Sequence, residues 1–298
     1  MAFSGIYPIL YAFFGRDGRL DEGQMREQVR RCLAGGAHGI AVLGLATEVN
    51  KLDAAEKRDV VRWAAAEIAG RVPLAVTVAE ATAEAAARFV LDVRDLGAAW
   101  AILQPPPVRG LPEAEYAEWF ADVARRAGGA LPLGIQNAVA YIGVGLSAAS
   151  IAALNRAQPG ISLVKAEDPA VDVQRLVALT EGRMTVFNGR AGLELPDCLR
   201  AGCAGMIPAP ECADMQARIY DAMAAGAEEE AERLYASIAP LIAFAIQSVP
   251  TFLCYGKRVT AWRMGLPDIV DRAPVLQPTE FGLACARRFA GRLGPYPG

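Results

Sequence analysis

Short apolar runs recur along the chain, and each is followed by a longer stretch in which apolar residues return every three or four positions. The runs are apolar at nearly every position, which is typical of strands buried on both faces of a parallel sheet. Eight segments fit this description: 5–13, 39–44, 73–78, 98–104, 131–137, 161–166, 184–189 and 204–209. Strands that alternate with helices predict a parallel sheet with right-handed crossovers.

Several of the intervening helices carry signals for their ends. Asp53 followed by Glu56 predicts a helix start with a capping box. The segment 82–97 begins at a threonine and ends at a glycine, and a later helix has Pro112 in its first turn and Gly128 at its end. These signals place helices between the predicted strands, as a β/α alternation requires.

Eight such units in about 220 residues predict a closed (β/α)₈ TIM barrel of the α/β class. An open, doubly wound sheet is the alternative, but such a sheet usually carries a glycine-rich phosphate loop after a strand, and the sequence has none. After about residue 212 the pattern becomes wholly helical. We therefore predict a barrel domain over 1–225 and a three-helix extension over 226–298 that packs on it.

The composition narrows the classes of function. The 298 residues are 53% hydrophobic and carry a net charge of −3, which fits a large core and gives no basic surface for nucleic acid. No apolar run reaches the roughly 18 residues of a membrane span, and the start of the chain has no signal-peptide pattern. We therefore expect a cytoplasmic protein with no nucleic-acid or membrane partner.

Metal and thiol chemistry receive little support from the sequence. The six cysteines include no C-x-x-C pair, and His38 is the single histidine. A zinc site or a Cys–His catalytic pair is therefore not expected, and the cysteines are interpreted as reduced core or helix residues. His38 precedes the second strand, at the end of the barrel opposite the expected chemistry, so we assign it a structural role.

One lysine stands out by its position. Of the 30 basic residues only four are lysines, yet Lys165 lies near the carboxyl end of the apolar run 161–166. Catalytic residues of TIM barrels gather at this end of the strands. Burial favours a neutral amine, which can attack a carbonyl to form a Schiff base, whereas an arginine cannot lose its proton. The alternative is a lysine that extends to solvent or pairs with an acid.

Three segments resemble the dihydrodipicolinate synthase / N-acetylneuraminate lyase family, namely 39–61, 164–170 and 187–207. The resemblance implies a lysine that forms an imine with a 2-oxo acid, without a metal or cofactor, in a homodimer or homotetramer. It also implies substrate-binding positions in the loops after strands two and seven and on strand eight. These are Ala46, Thr47, Asn188, Gly189 and Ile207.

Departures from the family pattern affect the expected reaction. The two hydroxyl residues of the family's strand-two loop are replaced by Leu45 and Ala46, with Thr47 following them. The family's strand-five tyrosine is replaced by Gln136, and 138–145 lack the arginine of the synthases. Because a glutamine amide is a poor proton shuttle, these changes argue against synthesis of dihydrodipicolinate.

A subset of the family shares the substituted positions. The chain resembles the 2-keto-3-deoxy-pentonate (2-keto-3-deoxyarabonate) dehydratases at 136–138, at 47–48 and at 165–169. Those enzymes have a Gln-Asp-Ala stretch, a Ser-Glu pair and a Lys-x-Glu-Thr-Pro motif at the corresponding places. The resemblance implies dehydration of a 2-keto-3-deoxy sugar acid.

The motifs assign roles around Lys165. Glu167 lies two residues further on, so a strand would point both side chains to the same side, where Glu167 could move protons. Thr47 could bind the carboxylate or relay protons, Gln136 could orient a hydroxyl, and Asn188 could bind one. Each of these side chains could instead cap a helix, hold a turn or satisfy backbone groups.

Three functions remain open from the sequence. The first is a dehydratase, the second is an aldolase that breaks or forms a C–C bond with pyruvate as the enamine, and the third is a non-catalytic 2-oxo acid binding protein. Tyr141 is a candidate replacement for the missing proton relay.

Overall fold

The described residues, 3–267 and 269–297 of a computed structural model, contain eight parallel strands in one sheet. The strands are β1 (Gly5–Ile6), β2 (Ile40–Val42), β3 (Leu74–Val78), β4 (Trp100–Leu103), β5 (Leu133–Asn137), β6 (Ile161–Ala166), β7 (Thr185–Asn188) and β8 (Gly205–Met206). Each strand falls within a predicted run. Their order is β1-β8-β7-β6-β5-β4-β3-β2, so every strand from β2 to β8 lies beside its neighbour in the chain.

The sheet closes where the segment after β1 meets β2. Ile9 forms a parallel bridge with Ala41. The Leu10 amide donates to the Ala41 carbonyl at 2.9 Å, and the Ala41 amide donates to the Pro8 carbonyl at 3.0 Å. The (β/α)₈ barrel predicted from the sequence is therefore confirmed.

The first strand is shorter than the predicted segment 5–13. Regular pairing covers only Gly5–Ile6, and isolated bridges replace a ladder beyond it. Pro8 has no amide hydrogen to donate, so the pairing towards β2 is interrupted there. On the β8 side the amides of Tyr7 and Ile9 still donate to the carbonyls of Met206 and Pro208, at 2.9 and 2.7 Å. The prediction was right about the strand and wrong about its length.

Large aromatic rings fill the barrel interior. The rings of Tyr7 and Phe187 lie 5.2 Å apart, and those of Trp100 and Phe187 lie 5.6 Å apart. Tyr7 and Trp100 approach to 6.2 Å from opposite sides of the barrel, so the contact crosses its centre. A Cβ on Gly39, the residue before β2, would lie 2.2 Å from the Tyr7 ring, so only glycine fits at this position.

Helices alternate with the strands and continue beyond them. They are α1 (Glu22–Ala34), α2 (Ala54–Ile68), α3 (Ala83–Asp95), α4 (Glu113–Ala127), α5 (Val139–Ile142), α6 (Ala148–Ala157), α7 (Ala170–Thr180), α8 (Leu195–Arg200), α9 (Ala213–Ala224), α10 (Glu228–Ala245), α11 (Val249–Thr251), α12 (Lys257–Met264) and α13 (Glu280–Leu293). The capping box of Asp53 and Glu56 is present at the start of α2. Thr82 caps α3, and Gly128 ends α4 with a left-handed φ.

The C-terminal helices form the predicted extension. A π-helical turn, Phe252–Gly256, joins α11 to α12. Arg263 of α12 binds Asp214 of α9 through both carboxylate oxygens, at 2.8 and 2.7 Å, and both side chains are buried. The extension is thus tied to the last helix of the barrel region. The domain boundary between residues 225 and 226 stays a prediction.

No single helix in the described ranges is long and apolar enough to cross a membrane, although α10 and the α11–α12 segment, bent by 113°, meet the length and composition criteria together. The six cysteines are free thiols, five of them buried and Cys285 partly exposed.

A buried acid lies where β8 ends. Glu211 is 1% exposed, and Tyr11 donates a hydrogen bond of 3.0 Å to its Oε2. Its Oε1 has no hydrogen-bond partner among the described residues. Burial raises the pKa of Glu211 to about 7, and this effect outweighs the lowering by the Tyr11 hydroxyl and the Arg263 charge.

We expect the stability of the protein to depend on the ionisation of Glu211. Because its folded pKa is raised above the unfolded value, the native state holds this proton more tightly, and the resulting stabilisation is complete below about pH 4.5. This stabilisation is lost progressively as the pH rises from about 4.5 to about 7, and the total loss is about 3 kcal/mol. The free energy of unfolding of wild type minus that of Glu211→Gln should fall over this range, as measured by urea denaturation.

The exposed substitution Glu228→Gln serves as the control and should leave the pH profile unchanged. A constant difference between wild type and Glu211→Gln from pH 4.5 to 7 would contradict the interpretation.

Candidate active site

Lys165 lies near the carboxyl end of β6, between Gln136 of β5 and Phe187 of β7 in the strand register. The lysine is only 6% exposed. Its Nζ lies 2.7 Å from Oε1 of Glu167. The two side chains share one side of the strand and line one cavity, as their spacing of two residues predicts.

Gln136 joins this pair from the neighbouring strand. Its Nε2 donates to the same Oε1 of Glu167 at 2.8 Å. The Glu167 amide donates to the Asn137 carbonyl at 2.7 Å, which continues the β5–β6 pairing by one residue. Two of the predicted catalytic side chains, Lys165 and Gln136, therefore contact the same oxygen of a third, Glu167.

The cavity beside Lys165 is small and is lined mostly by apolar side chains. Its charged or hydroxyl-bearing side chains are Lys165, Glu167, Tyr141 and Arg190. The other lining residues are Ile9, Leu45, Ala46, Ala191, Ile207, Ala209, Ile246, Val249 and Phe252. The last three belong to the C-terminal extension, so barrel and extension together enclose the site.

Two of the predicted substrate-binding residues, Ala46 and Ile207, line the cavity, and Tyr141 lines it as well. Thr47 is not among the residues that line the cavity. Its buried hydroxyl donates to the Leu10 carbonyl at 2.7 Å and accepts from the Leu43 amide at 2.9 Å. The hydroxyl thus holds the strand-two loop, and its direct role at the substrate stays a prediction.

The last residue of β7 and the glycine that follows it pack against the end of β6, where Lys165 lies. Asn188 donates from Nδ2 to the carbonyls of Ala166 at 2.8 Å and of Asp168 at 3.0 Å. A Cβ on Gly189 would lie 2.8 Å from Cγ of Glu167 and 3.2 Å from Cε of Lys165. Asn188 and Gly189 are outside the cavity lining, and their predicted contacts with substrate stay predictions.

Nearby groups shape the electrostatics of the site. Burial raises the pKa of Asp168 above its ordinary value, although the hydrogen bond from Asn137 and the charge of Arg190 oppose this shift.

His38 is remote from the site: its Nδ1 accepts from the Ile6 amide at 3.3 Å, and its Nε2 lies 3.0 Å from Asp221. These contacts agree with the structural role predicted for His38.

Arg190 lines the cavity but was not among the residues predicted from the sequence. This residue follows the end of β7 by two positions, at the end of the barrel where the site lies. Its position just beyond a strand end was the available signal, and the local pattern gave no reason to separate it from the many surface arginines.

A buried lysine beside a carboxylate, at the carboxyl end of β6 in a (β/α)₈ barrel, defines a Schiff-base class of enzyme. The model of the dihydrodipicolinate synthetase family matches residues 2–281. The chain belongs to this family and is a lyase.

Relatives within the family have different activities. The chain is 28% identical over 245 residues to an L-2-keto-3-deoxyarabonate dehydratase from Azospirillum brasilense, covering 80% of this chain and 78% of that one. It is 33% identical over 208 residues to a 4-hydroxy-tetrahydrodipicolinate synthase from Xanthomonas campestris, covering 70% and 68%. A solved structure of a putative dihydrodipicolinate synthetase from Pseudomonas aeruginosa superposes with a TM-score of 0.86 at 26% identity, covering 98% of this chain and 100% of that one.

We expect Gly189→Ala to disturb the site directly. The added methyl group would press on Glu167 and Lys165, and overpacking of this kind costs about 1–3 kcal/mol. Urea denaturation should show that loss, and a crystal structure of the variant should show a longer Nζ–Oε1 distance. Gly160→Ala is the matched control, because a Cβ there meets no atom within 4 Å. Equal stability of the two variants would contradict this account.

Proposed function

We propose that the protein dehydrates a 2-keto-3-deoxy sugar acid through an imine at Lys165. The observation that carries this proposal is the contact of the Lys165 amine with the Glu167 carboxylate in one cavity, with the Gln136 amide hydrogen-bonded to that carboxylate. The relationship to an L-2-keto-3-deoxyarabonate dehydratase supports the choice of substrate class.

The reaction begins at the C2 carbonyl of the substrate. Nζ of Lys165 adds to C2, and water leaves to give an iminium ion. The iminium withdraws electrons, so a base can remove a proton from C3. The resulting enamine expels the hydroxyl group of C4. Loss of a proton from C5 of this unsaturated imine gives an enol, and its tautomerisation to an aldehyde returns protons to C4 and C3. One water has then been lost overall, and hydrolysis of the imine releases Lys165 and a 2-oxo semialdehyde with the carbon skeleton intact.

Glu167 is the proton carrier in this scheme. Its Oε1 lies 2.7 Å from the amine that becomes the imine nitrogen, which places a carboxylate close to the reacting carbons. Gln136 holds that carboxylate in place through its 2.8 Å hydrogen bond. In this scheme Gln136 has a positioning role, and its predicted contact with a substrate hydroxyl stays a prediction. The Tyr141 hydroxyl, which lines the same cavity, is the second candidate proton carrier.

The carboxylate of the substrate faces the loop after β2. Leu45 and Ala46 line the cavity there and offer no side-chain hydroxyl, so backbone amides of this loop are the donors in our scheme. Thr47 contributes indirectly, because its two hydrogen bonds fix the loop that carries these amides.

Aldol chemistry is the second candidate function. It would use the same imine but break or form the C3–C4 bond, and the 33% identity to a 4-hydroxy-tetrahydrodipicolinate synthase favours it. The glutamine at position 136 and the absence of arginine from 138–145 count against that particular synthesis. The cytoplasmic location and the homodimeric or homotetrameric state stay predictions.

Trapping with borohydride tests the imine. Incubation with pyruvate followed by reduction should add the mass of one reduced adduct, and peptide mapping should place it on Lys165. Lys165→Ala should lose the adduct entirely. Lys57→Ala is the control, because Lys57 pairs with Glu80 outside the cavity, and it should keep the adduct. Failure of wild-type protein to trap any of a panel of 2-oxo acids would contradict the imine mechanism.

Product analysis separates the two enzyme functions. Dehydration of a 2-keto-3-deoxy pentonate yields a 2-oxo semialdehyde with all its carbon atoms, whereas aldol cleavage yields pyruvate and an aldehyde. Detection of the cleavage products alone would contradict the dehydratase proposal.

Gln136→Leu tests the positioning of Glu167. The variant keeps the size of the side chain but removes the donor, so we expect kcat to fall about 10- to 100-fold with a smaller change in KM. Unchanged turnover would show that Gln136 has only a packing role.

A further inference from the structure

We propose that Arg190 is the specificity-determining residue of the cavity. Its guanidinium binds hydroxyl oxygens on the part of the substrate remote from the imine, and thereby favours hydroxylated 2-oxo acids over alkyl ones. This inference rests on the proposed function, since the imine at Lys165 fixes the other end of the substrate.

The position of Arg190 supports this role. It follows β7, the strand beside β6, so it flanks Lys165 on the side opposite Tyr141, which follows β5. Of the charged groups that line the cavity, Lys165 and Glu167 take part in the imine chemistry. Arg190 is left to contact the rest of the substrate.

Arg190 retains free donors. It pairs with Glu194 through Nη1, which fixes one edge of the guanidinium. Within 3–267 and 269–297, its Nε and Nη2 groups form no hydrogen bond, although only 19% of the side chain is exposed. A planar guanidinium with one edge held and donors remaining is suited to bind neighbouring oxygen atoms with fixed geometry.

The backbone at this position is unusual. Arg190 and the following Ala191 have φ values of 51° and 54°, a left-handed conformation that is unfavourable for non-glycine residues. Nε2 of Gln216 donates to the Ala191 carbonyl at 2.7 Å, and the Tyr235 hydroxyl donates to the Leu193 carbonyl. The surrounding helices therefore hold the loop in a form that keeps Arg190 on the cavity.

The apolar part of the cavity lining explains why a donor is needed. The extension contributes Ile246, Val249 and Phe252, whose side chains offer no hydrogen bond. Hydroxyl groups placed against such a surface without a partner lose their hydration and bind poorly. Arg190 supplies the missing partner, whereas an alkyl chain would gain nothing from it.

A comparison of three 2-oxo acids in wild-type and variant proteins tests this role. The probes are pyruvate, 2-oxopentanoate and a 2-keto-3-deoxy pentonate, and the readouts are the concentration for half-maximal borohydride trapping and the separate values of kcat and KM. Arg190→Met should weaken binding of the hydroxylated acid about 10- to 100-fold, as expected for hydrogen bonds from a charged donor, and change the two alkyl acids less than about twofold. Arg190→Lys should recover part of the loss. Arg183→Met, at an exposed arginine that pairs with Glu181, is the matched control.

Two results would overturn the proposal. One is an unchanged preference for the hydroxylated acid in Arg190→Met, and the other is equal weakening of all three acids, which would show that Arg190 supports Lys165 instead. If wild-type protein traps no acid, the imine mechanism fails separately. Calorimetric binding of the same acids to Lys165→Ala, with and without Arg190→Met, then decides the role of Arg190, because this measurement needs no covalent bond.

Discussion

The contact between the Lys165 amine and the Glu167 carboxylate is the interaction on which the rest of the site depends. Both groups are buried, and a buried ion pair is stable only when its geometry is good and its remaining hydrogen bonds are satisfied. Gln136 supplies one such bond, and Gly189 leaves the space that the two side chains occupy. The surrounding strands therefore hold a buried ion pair, whose loss of hydration is unfavourable, beside the cavity.

The hydrophobic pattern predicted the fold well, because each buried strand and each amphipathic helix is recorded locally in the sequence. The helix start at Asp53 is one example, since all the atoms of its capping box lie within four residues. The length of the first strand could not be predicted as well. There, one missing amide at Pro8 outweighs an apolar pattern that continues to residue 13.

The candidate site was only partly accessible from the sequence, for the same reason. The side chains of Lys165 and Glu167 share one side because a strand repeats every two residues. Thr47 behaves differently, since its hydroxyl binds the carbonyl of Leu10, a partner 37 residues away. Arg190 was missed because the local sequence pattern shows neither the left-handed backbone at this position nor the hydrogen bonds from distant helices that hold the loop.

The wall formed by Ile246, Val249 and Phe252 has a consequence for synthesis of the protein on the ribosome. All eight strands precede residue 207, so the lysine strand and its neighbours can emerge before the wall exists. A nascent barrel would leave the amine open to water and to any carbonyl compound in its surroundings. Because the enclosing segment follows all eight strands in the chain, the cavity is complete only after that segment has been made and has packed on the barrel.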